Sequence, residues 1–190
     1  MEEGFEVHGP HDHTLEHAAE QGSSQSMTSQ IAMYTAIIAT IGAIFGYMGG
    51  ATQANAGLYK NNAAIKKTEA SNQWNYYQAK SSKQNLSELA MQIAPGKKDF
   101  YEEEIKRYKT EKADIKKNAE ALEHASTEWD EKSDEEMHQH HRWAQATTAL
   151  QISIALAAIA LLTRKTWLQK AMMVMGGVGL VLGGLAAMHI

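Results

Sequence analysis

Histidine is the residue type in this sequence whose spacing most suggests chemistry. Seven of the nine histidines form two groups, one near the N-terminus and one in the second half of the chain: His8, His11, His13 and His17, then His138, His140 and His141. Neutral imidazoles at such spacings can bind zinc, nickel or copper, and near a pH of about 6.5 they also change charge. Metal binding or pH sensing is therefore one hypothesis. The alternative is that the N-terminal histidines lie in a solvated acidic tail and bind no metal.

Other patterns of enzymatic chemistry are missing from the sequence. It has no cysteine, no GxxxxGK[ST] and no GxGxxG, and its glycine-rich run GGVGLVLGG lies in an apolar segment rather than after a strand. Serine, histidine and acidic residues lie on long polar helices that form no pocket. We therefore expect no enzymatic activity and no cofactor. The net charge of -4 gives no reason to expect a nucleic-acid partner.

Three apolar segments are long enough to cross a membrane as helices, which takes about 20 mostly apolar residues. They cover residues 27–50, 144–163 and 168–188, and Lys170, near the start of the third, is their one charged residue. Residues 1–26 contain no Lys or Arg, so the first segment is not a cleaved signal peptide. We predict three transmembrane helices preceded by a flexible acidic tail. Buried helices of a soluble bundle are the alternative.

The polar segment between the first two apolar segments predicts a long helical hairpin. It covers residues 51–143, and its one Pro-Gly pair, at residues 95–96, predicts the tip. The two arms, residues 51–94 and 97–143, are nearly equal in length. The predicted fold is thus an all-α membrane protein with three transmembrane helices and an antiparallel coiled-coil hairpin inserted between the first and second.

Heptad spacing predicts which residues of the two arms face each other. The predicted seam of the first arm is Leu58, Ile65, Asn72, Ala79, Leu86 and Ile93; that of the second is Tyr101, Ile105, Tyr108, Lys112, Ile115, Ala119, Leu122, Ser126 and Trp129. Leu86 would then lie opposite Ile105, and Tyr76 opposite Ile115. Polar residues interrupt both seams, so we expect the hairpin to pack against other copies or a partner.

The stretch SNQWNYYQAK at Ser71 to Lys80, together with LTRKTW at Leu162 to Trp167, resembles the bacterial domain of unknown function 4337 family. The resemblance implies an inner-membrane protein with a helical hairpin and no assigned activity, and it supplies no catalytic residues. It directs attention to a candidate partner-contact site at Trp74, Tyr76, Tyr77 and Gln78. Trp74 and Tyr77 share a helix face, whereas Tyr76 falls on the predicted seam and is expected in the core.

Small residues four apart predict close helix packing inside the membrane. The first apolar segment has Gly42, Gly46 and Gly50, and the third has Gly179, Gly183 and Ala187. We expect these stripes to hold a homo-oligomer together. The alternative is that both are used within one protomer.

The functional interpretation is a non-enzymatic scaffold or adaptor of the bacterial inner membrane, which contacts lipid, itself and another membrane protein complex. A homo-oligomeric pore, lined by Thr147, Thr148, Gln151 and Ser153, is the second hypothesis. A membrane protein that responds to metal or pH is the third. The positions of the basic residues give conflicting indications of orientation. Arg164 and Lys165 favour an external hairpin, while the lysines after the first segment favour a cytoplasmic one. We predict the cytoplasmic side.

Overall fold

The computed structural model describes the backbone of residues 12–189 and the side chains of residues 27–189. It contains helix α1 (Asp12–Ile93), a short 3-10 helix (Pro95–Lys97), helix α2 (Lys98–Thr163) and helix α3 (Thr166–Ala187). No strand occurs among these residues. The all-α prediction is confirmed.

Both breaks between helices have local causes. No proline interrupts Asp12–Ile93, so α1 continues for 82 residues until Pro95, which begins the 3-10 helix. The second break follows Thr163, where Arg164 adopts a left-handed φ of 52° and its amide donates a 2.8 Å hydrogen bond to the Ala160 carbonyl. Lys165 is extended, and α3 then begins.

Each of the three α-helices contains a segment that is long and apolar enough to cross a membrane, judged by length and composition. The chain divides into two compact units. We call Met1–Gly50 with Gln139–Ile190 the apolar unit, and Ala51–His138 the polar unit.

The apolar unit is built from segments of all three α-helices. Its core comprises Ile31 of α1, Ala157 and Ala160 of α2, and Leu168 and Met172 of α3. Tyr34 packs against this cluster, and its hydroxyl donates a 3.2 Å hydrogen bond to the Met173 carbonyl. The packing therefore joins residues that are far apart in the sequence.

The polar unit contains two helical arms joined by residues 94–97. We call residues 51–93 of α1 the α1 arm and residues 98–138 of α2 the α2 arm. Buried positions of the α1 arm recur every seven residues at Ala56, Ala63 and Ala70, with Gln84 two heptads further on. The residues of the α2 arm that contact these positions follow one another in the reverse order along the chain. The Ser133 hydroxyl donates to the Ala56 carbonyl and the Ser126 hydroxyl to the Ala63 carbonyl, both at 2.9 Å.

The predicted seam of the α1 arm is wrong by two positions. Leu58, Leu86 and Ile93 are 63%, 65% and 73% exposed, and Ile65, Asn72 and Ala79 are also exposed. Alanine occupies the seam instead, because its small side chain allows the serine hydroxyls of the α2 arm to reach α1 carbonyls. Tyr76, expected in the core, is 50% exposed.

The predicted seam of the α2 arm agrees better with the structure. Its buried members are Ile105, Tyr108, Ile115, Ala119 and Ser126. Tyr101, Lys112, Leu122 and Trp129 are partly buried. The Trp129 ring lies 5.4 Å from the ring of Tyr59, measured between centroids.

Candidate protein-contact site

Charged residues of the α1 arm lie beside the seam and reach the α2 arm. Lys60 pairs with Asp130 at 2.5 Å, Lys67 with Glu123 at 3.6 Å and Lys80 with Glu111 at 2.5 Å. The hydrogen bond between Lys80 and Glu111 raises the pKa of Lys80 and lowers the pKa of Glu111. The pairs of Lys60 and Lys67 are exposed and add little stability individually, whereas Lys80 and Glu111 are partly buried. All three pairs draw positive charge toward the seam.

The aromatic block at Ser71 to Lys80 is divided between the seam and the surface. The Trp74 and Tyr77 rings meet edge to face at 5.7 Å and are partly buried, and the Lys112 ammonium lies 5.1 Å from the centre of the Tyr77 ring. Tyr76 and Gln78 are exposed. Of the four predicted contact residues, Tyr76 and Gln78 are therefore the accessible ones, and Tyr77 takes the inward place expected for Tyr76.

One outward face of the α1 arm carries no charge. We call it the uncharged face, and its positions alternate in spacings of three and four along the helix: Leu58, Asn61, Ile65, Thr68, Asn72, Asn75, Ala79, Ser82, Leu86, Leu89 and Ile93. Every one of these residues is exposed in the protomer. Outward positions of the α2 arm, in contrast, carry charges such as Glu103, Lys117 and Glu131. A solvated helix face is normally rich in charge, so this face is unusual.

Three glycines of α3 pack against the other helices of the protomer. A Cβ atom at Gly179 would overlap the Leu150 side chain, and one at Gly183 would overlap the Phe45 ring. Gly176, which was not predicted, lies against the Tyr34 hydroxyl in the same way. Ala187 is exposed, while its neighbour Ala186 is buried. These contacts correspond to the intraprotomer alternative for the third apolar segment.

The glycines of the first apolar segment are used differently. Gly42 lies near Leu150, where an added Cβ would meet the side chain at 3.7 Å. A Cβ at Gly46 or Gly50 would meet nothing within 4 Å. Gly49 is the buried glycine here, against Trp143. Space thus remains beside Gly46 and Gly50, and the prediction that they contact a second copy stays a prediction.

The four predicted pore-lining residues do not share one environment. Ser153 is buried, and its hydroxyl donates a 2.6 Å hydrogen bond to the Met172 carbonyl. The hydroxyls of Thr147 and Thr148 donate to carbonyls of their own helix, at Trp143 and Ala144. Gln151 is exposed. Ser153 therefore joins α2 to α3, which leaves Gln151 as the exposed amide of this set.

The histidines that the structure describes do not form a metal site. His138 and His141 are exposed, and Nδ1 of His140 lies 2.8 Å from the Gly49 carbonyl oxygen. Among residues 27–189, no group of three His, Asp or Glu side chains could hold a metal ion. His8 and His11 lie outside the described residues, as do the side chains of His13 and His17. The metal hypothesis for that group stays untested.

Residues 27–189 match the sequence family described as Domain of unknown function (DUF4337). The chain belongs to the DUF4337 family. This confirms the resemblance drawn from Ser71 to Lys80 and Leu162 to Trp167. No curated protein and no solved structure matches this DUF4337 chain.

The uncharged face was not predicted from the sequence, although its pattern of uncharged residues is present there. Its apolar members were assigned to the seam because leucine and isoleucine recurring every seven residues usually face a partner helix. The absence of charge at the intervening positions Asn61, Thr68 and Asn75 extends the pattern. Two heptad patterns, one of alanine and one of larger residues, therefore share the α1 arm.

Proposed function

We propose that this protein is a non-enzymatic membrane scaffold or adaptor that self-assembles and presents a helical hairpin for protein contacts. The observation that supports this most is the exposure of large apolar side chains on the α1 arm, in an otherwise polar unit. Exposed apolar patches on polar proteins usually mark interaction surfaces, because covering them removes apolar area from water.

The three apolar segments would anchor this scaffold in the bacterial inner membrane. At about 1.5 Å per residue, each arm of the hairpin would be roughly 60 Å long. We place it on the cytoplasmic side, because Lys60, Lys66 and Lys67 follow the first segment while the preceding tail has no Lys or Arg.

Fusing alkaline phosphatase after Ile190 tests the orientation, because two predicted crossings separate the hairpin from the C-terminus and would place both on the same side of the membrane. We expect low phosphatase activity, since the enzyme folds only outside the cytoplasm. A matched fusion before Met27 should be active in the same cells. Strong activity of the C-terminal fusion would place the hairpin outside.

The adaptor role predicts a partner that depends on the exposed part of the aromatic block. Tyr76→Ala combined with Gln78→Ala should remove specific membrane partners that the wild type retains after mild solubilisation and affinity capture. The control, Lys117→Ala with Asn118→Ala, alters exposed residues of the α2 arm. Trp74 and Tyr77 are left intact because both are partly buried and Tyr77 contacts Lys112 of the α2 arm. An unchanged partner set in the first variant would reject this contact site.

A homo-oligomeric pore is the second candidate, and the exposure of Gln151 favours it. An amide that faced lipid tails would lack hydrogen-bond partners, whereas one that lined a water-filled path would not. Purified protein in liposomes should then conduct ions, and Gln151→Leu should reduce the flux. The scaffold alone predicts no flux in either protein.

A further inference from the structure

We propose that a second copy of this chain binds the uncharged face, with the two α1 arms parallel and in register. This inference rests on the membrane anchoring and self-assembly proposed above, and it assigns their interface. The interface would pair each residue of the face with the same residue of the other copy. Leu58, Ile65, Asn72, Leu86 and Ile93 would lie along its length.

The residues of the uncharged face have the spacing of a helix that packs against another helix. Its eleven positions extend from Leu58 to Ile93 in alternating steps of three and four, which amounts to about five heptads. Apolar residues sustained over about three to four heptads indicate a coiled coil; here the large apolar members lie at the two ends of the face, with uncharged polar side chains between them. The α2 arm occupies a different pattern, Ala56, Ala63 and Ala70, so it leaves this face free.

The distribution of charge allows this face to bind an identical copy. Lys60, Lys67 and Lys80 turn toward acidic residues of the α2 arm rather than toward the face. A surface with a net charge repels its own copy, whereas a face without charge brings no such repulsion. Leu58 and Ile65 at one end, and Leu86, Leu89 and Ile93 at the other, supply apolar area to bury.

The pairing of Asn72 decides the direction. Copies that insert with the same orientation keep their arms on one side of the membrane, and a twofold axis parallel to the arms makes equivalent arms run parallel. Asn72 then faces Asn72, and two amides can each donate and accept a hydrogen bond. In an antiparallel pair that sets Leu58 against Ile93, Asn72 would face Ala79 and leave an amide without that partner. A buried asparagine at such a position fixes register and the number of strands.

Thiol cross-linking of the full-length protein tests the proposal, and the absence of native cysteine makes every cross-link site-specific. Leu58→Cys and Ile93→Cys are treated separately with a short bismaleimide in native membranes. Each should double its apparent mass on a denaturing gel. Lys117→Cys, an exposed position of the α2 arm, is the matched control and should stay at the mass of one chain.

Three other results would overturn the proposal at different levels. If the wild type is monomeric by light scattering at micromolar concentration and the cysteine variants form no cross-links in the membrane, both self-assembly and this interface are rejected. An oligomer whose Leu58→Cys and Ile93→Cys variants react no more than Lys117→Cys would reject the interface alone. Cross-linking only between differently tagged Leu58→Cys and Ile93→Cys chains would show an antiparallel pair and reject the parallel one.

Discussion

The Ser126 hydroxyl donates a 2.9 Å hydrogen bond to the Ala63 carbonyl, across the seam between the two arms of the polar unit. A side chain as short as serine reaches a backbone carbonyl of another helix only when the two backbones lie close together. Ser133 and Ala56 repeat the contact two turns away. The seam therefore has little room for larger side chains.

Enlarging a seam alanine should destabilise the polar unit. Ala63→Leu adds three carbon atoms where Ser126 approaches, and overpacking of this kind costs about 1–3 kcal/mol. We expect a lower melting temperature, followed through the fluorescence of Trp74 and Trp129. Ala64→Leu, at the exposed neighbouring position, should melt like wild type. Equal melting temperatures for the two variants would contradict the alanine seam.

The ion pair between Lys80 and Glu111 should make stability depend on pH. The hydrogen bond from Lys80 lowers the pKa of Glu111 below its ordinary 4.5, so its stabilisation is complete above pH 4.5 and is lost as the pH falls through the folded pKa. The pKa of Lys80 is raised above 10.5 by the same bond, so its stabilisation is present below pH 10.5 and is lost as the pH rises through the folded pKa.

Glu111→Gln tests this dependence. The variant should melt below wild type at neutral pH, and the difference should shrink as the solution is taken below pH 4.5, where the wild-type carboxylate gains its proton. Glu120→Gln, which breaks the exposed 3.6 Å pair with Lys116 on the same helix, should have less effect. A gap in melting temperature that stays constant across this pH range would show that the pair does not contribute through its charge.

The α3 glycines predict a sharp contrast between two single methyl additions. Gly179→Ala would force its Cβ into Leu150 and should lower the resistance of the apolar unit to detergent denaturation by about 1–3 kcal/mol. Gly184→Ala meets nothing within 4 Å and should be neutral or stabilising, because alanine favours helix over glycine by about 0.5–1 kcal/mol. The reverse ranking would contradict the packing of Leu150 against α3.

Gly46 offers a test of association through the first apolar segment. Since nothing lies within 4 Å of an added Cβ there, Gly46→Ile should leave the protomer intact. If a second copy packs on this glycine, native mass spectrometry in mild detergent will show a smaller assembly than wild type. Gly177→Ile is the control, because its surroundings in α3 are equally open. An unchanged mass for Gly46→Ile would assign association to other surfaces.

Replacing Asn72 with an apolar residue should strengthen association but make it less specific. In Asn72→Ile the buried amide pair is exchanged for apolar contact, which removes the feature that fixes register and strand number. We expect dissociation at lower protein concentration and a mixture of assembly sizes in light scattering. Ser71→Ile changes an exposed residue just beside the uncharged face and should leave the size distribution unchanged. Weaker association of Asn72→Ile would argue against two facing Asn72 residues.

The sequence predicted those parts of the fold that depend on large or conformationally distinctive residues. Pro95 ends the first helical arm, and Ile105, Tyr108 and Ile115 mark the buried side of the α2 arm through their size. The buried side of the α1 arm was missed because alanine carries a weak hydrophobic signal, while Leu58 and Leu86 carry a strong one on the opposite side. Heptad spacing indicates that a helix has a partner, but it does not say which partner each pattern meets.

The candidate contact site could be located from the sequence, but which of its residues face inward and which face outward could not be predicted. Ser71 to Lys80 was recognisable as a unit, yet the placement of Tyr77 inward and Tyr76 outward depends on the seam shift. The interlocking of Gly176 with Tyr34 joins residues more than a hundred positions apart, and no local pattern predicts such a pair.

The Pro95–Lys97 turn has a practical consequence for following this protein in living cells. Its three residues are exposed, and the space around Gly96 is open to at least 4 Å from an added Cβ. Exposed loop tips are where chains best accept inserted sequence. A fluorogen-binding peptide or an epitope placed between Gly96 and Lys97 would leave both termini unaltered, and it would interrupt neither the alanine seam nor the uncharged face.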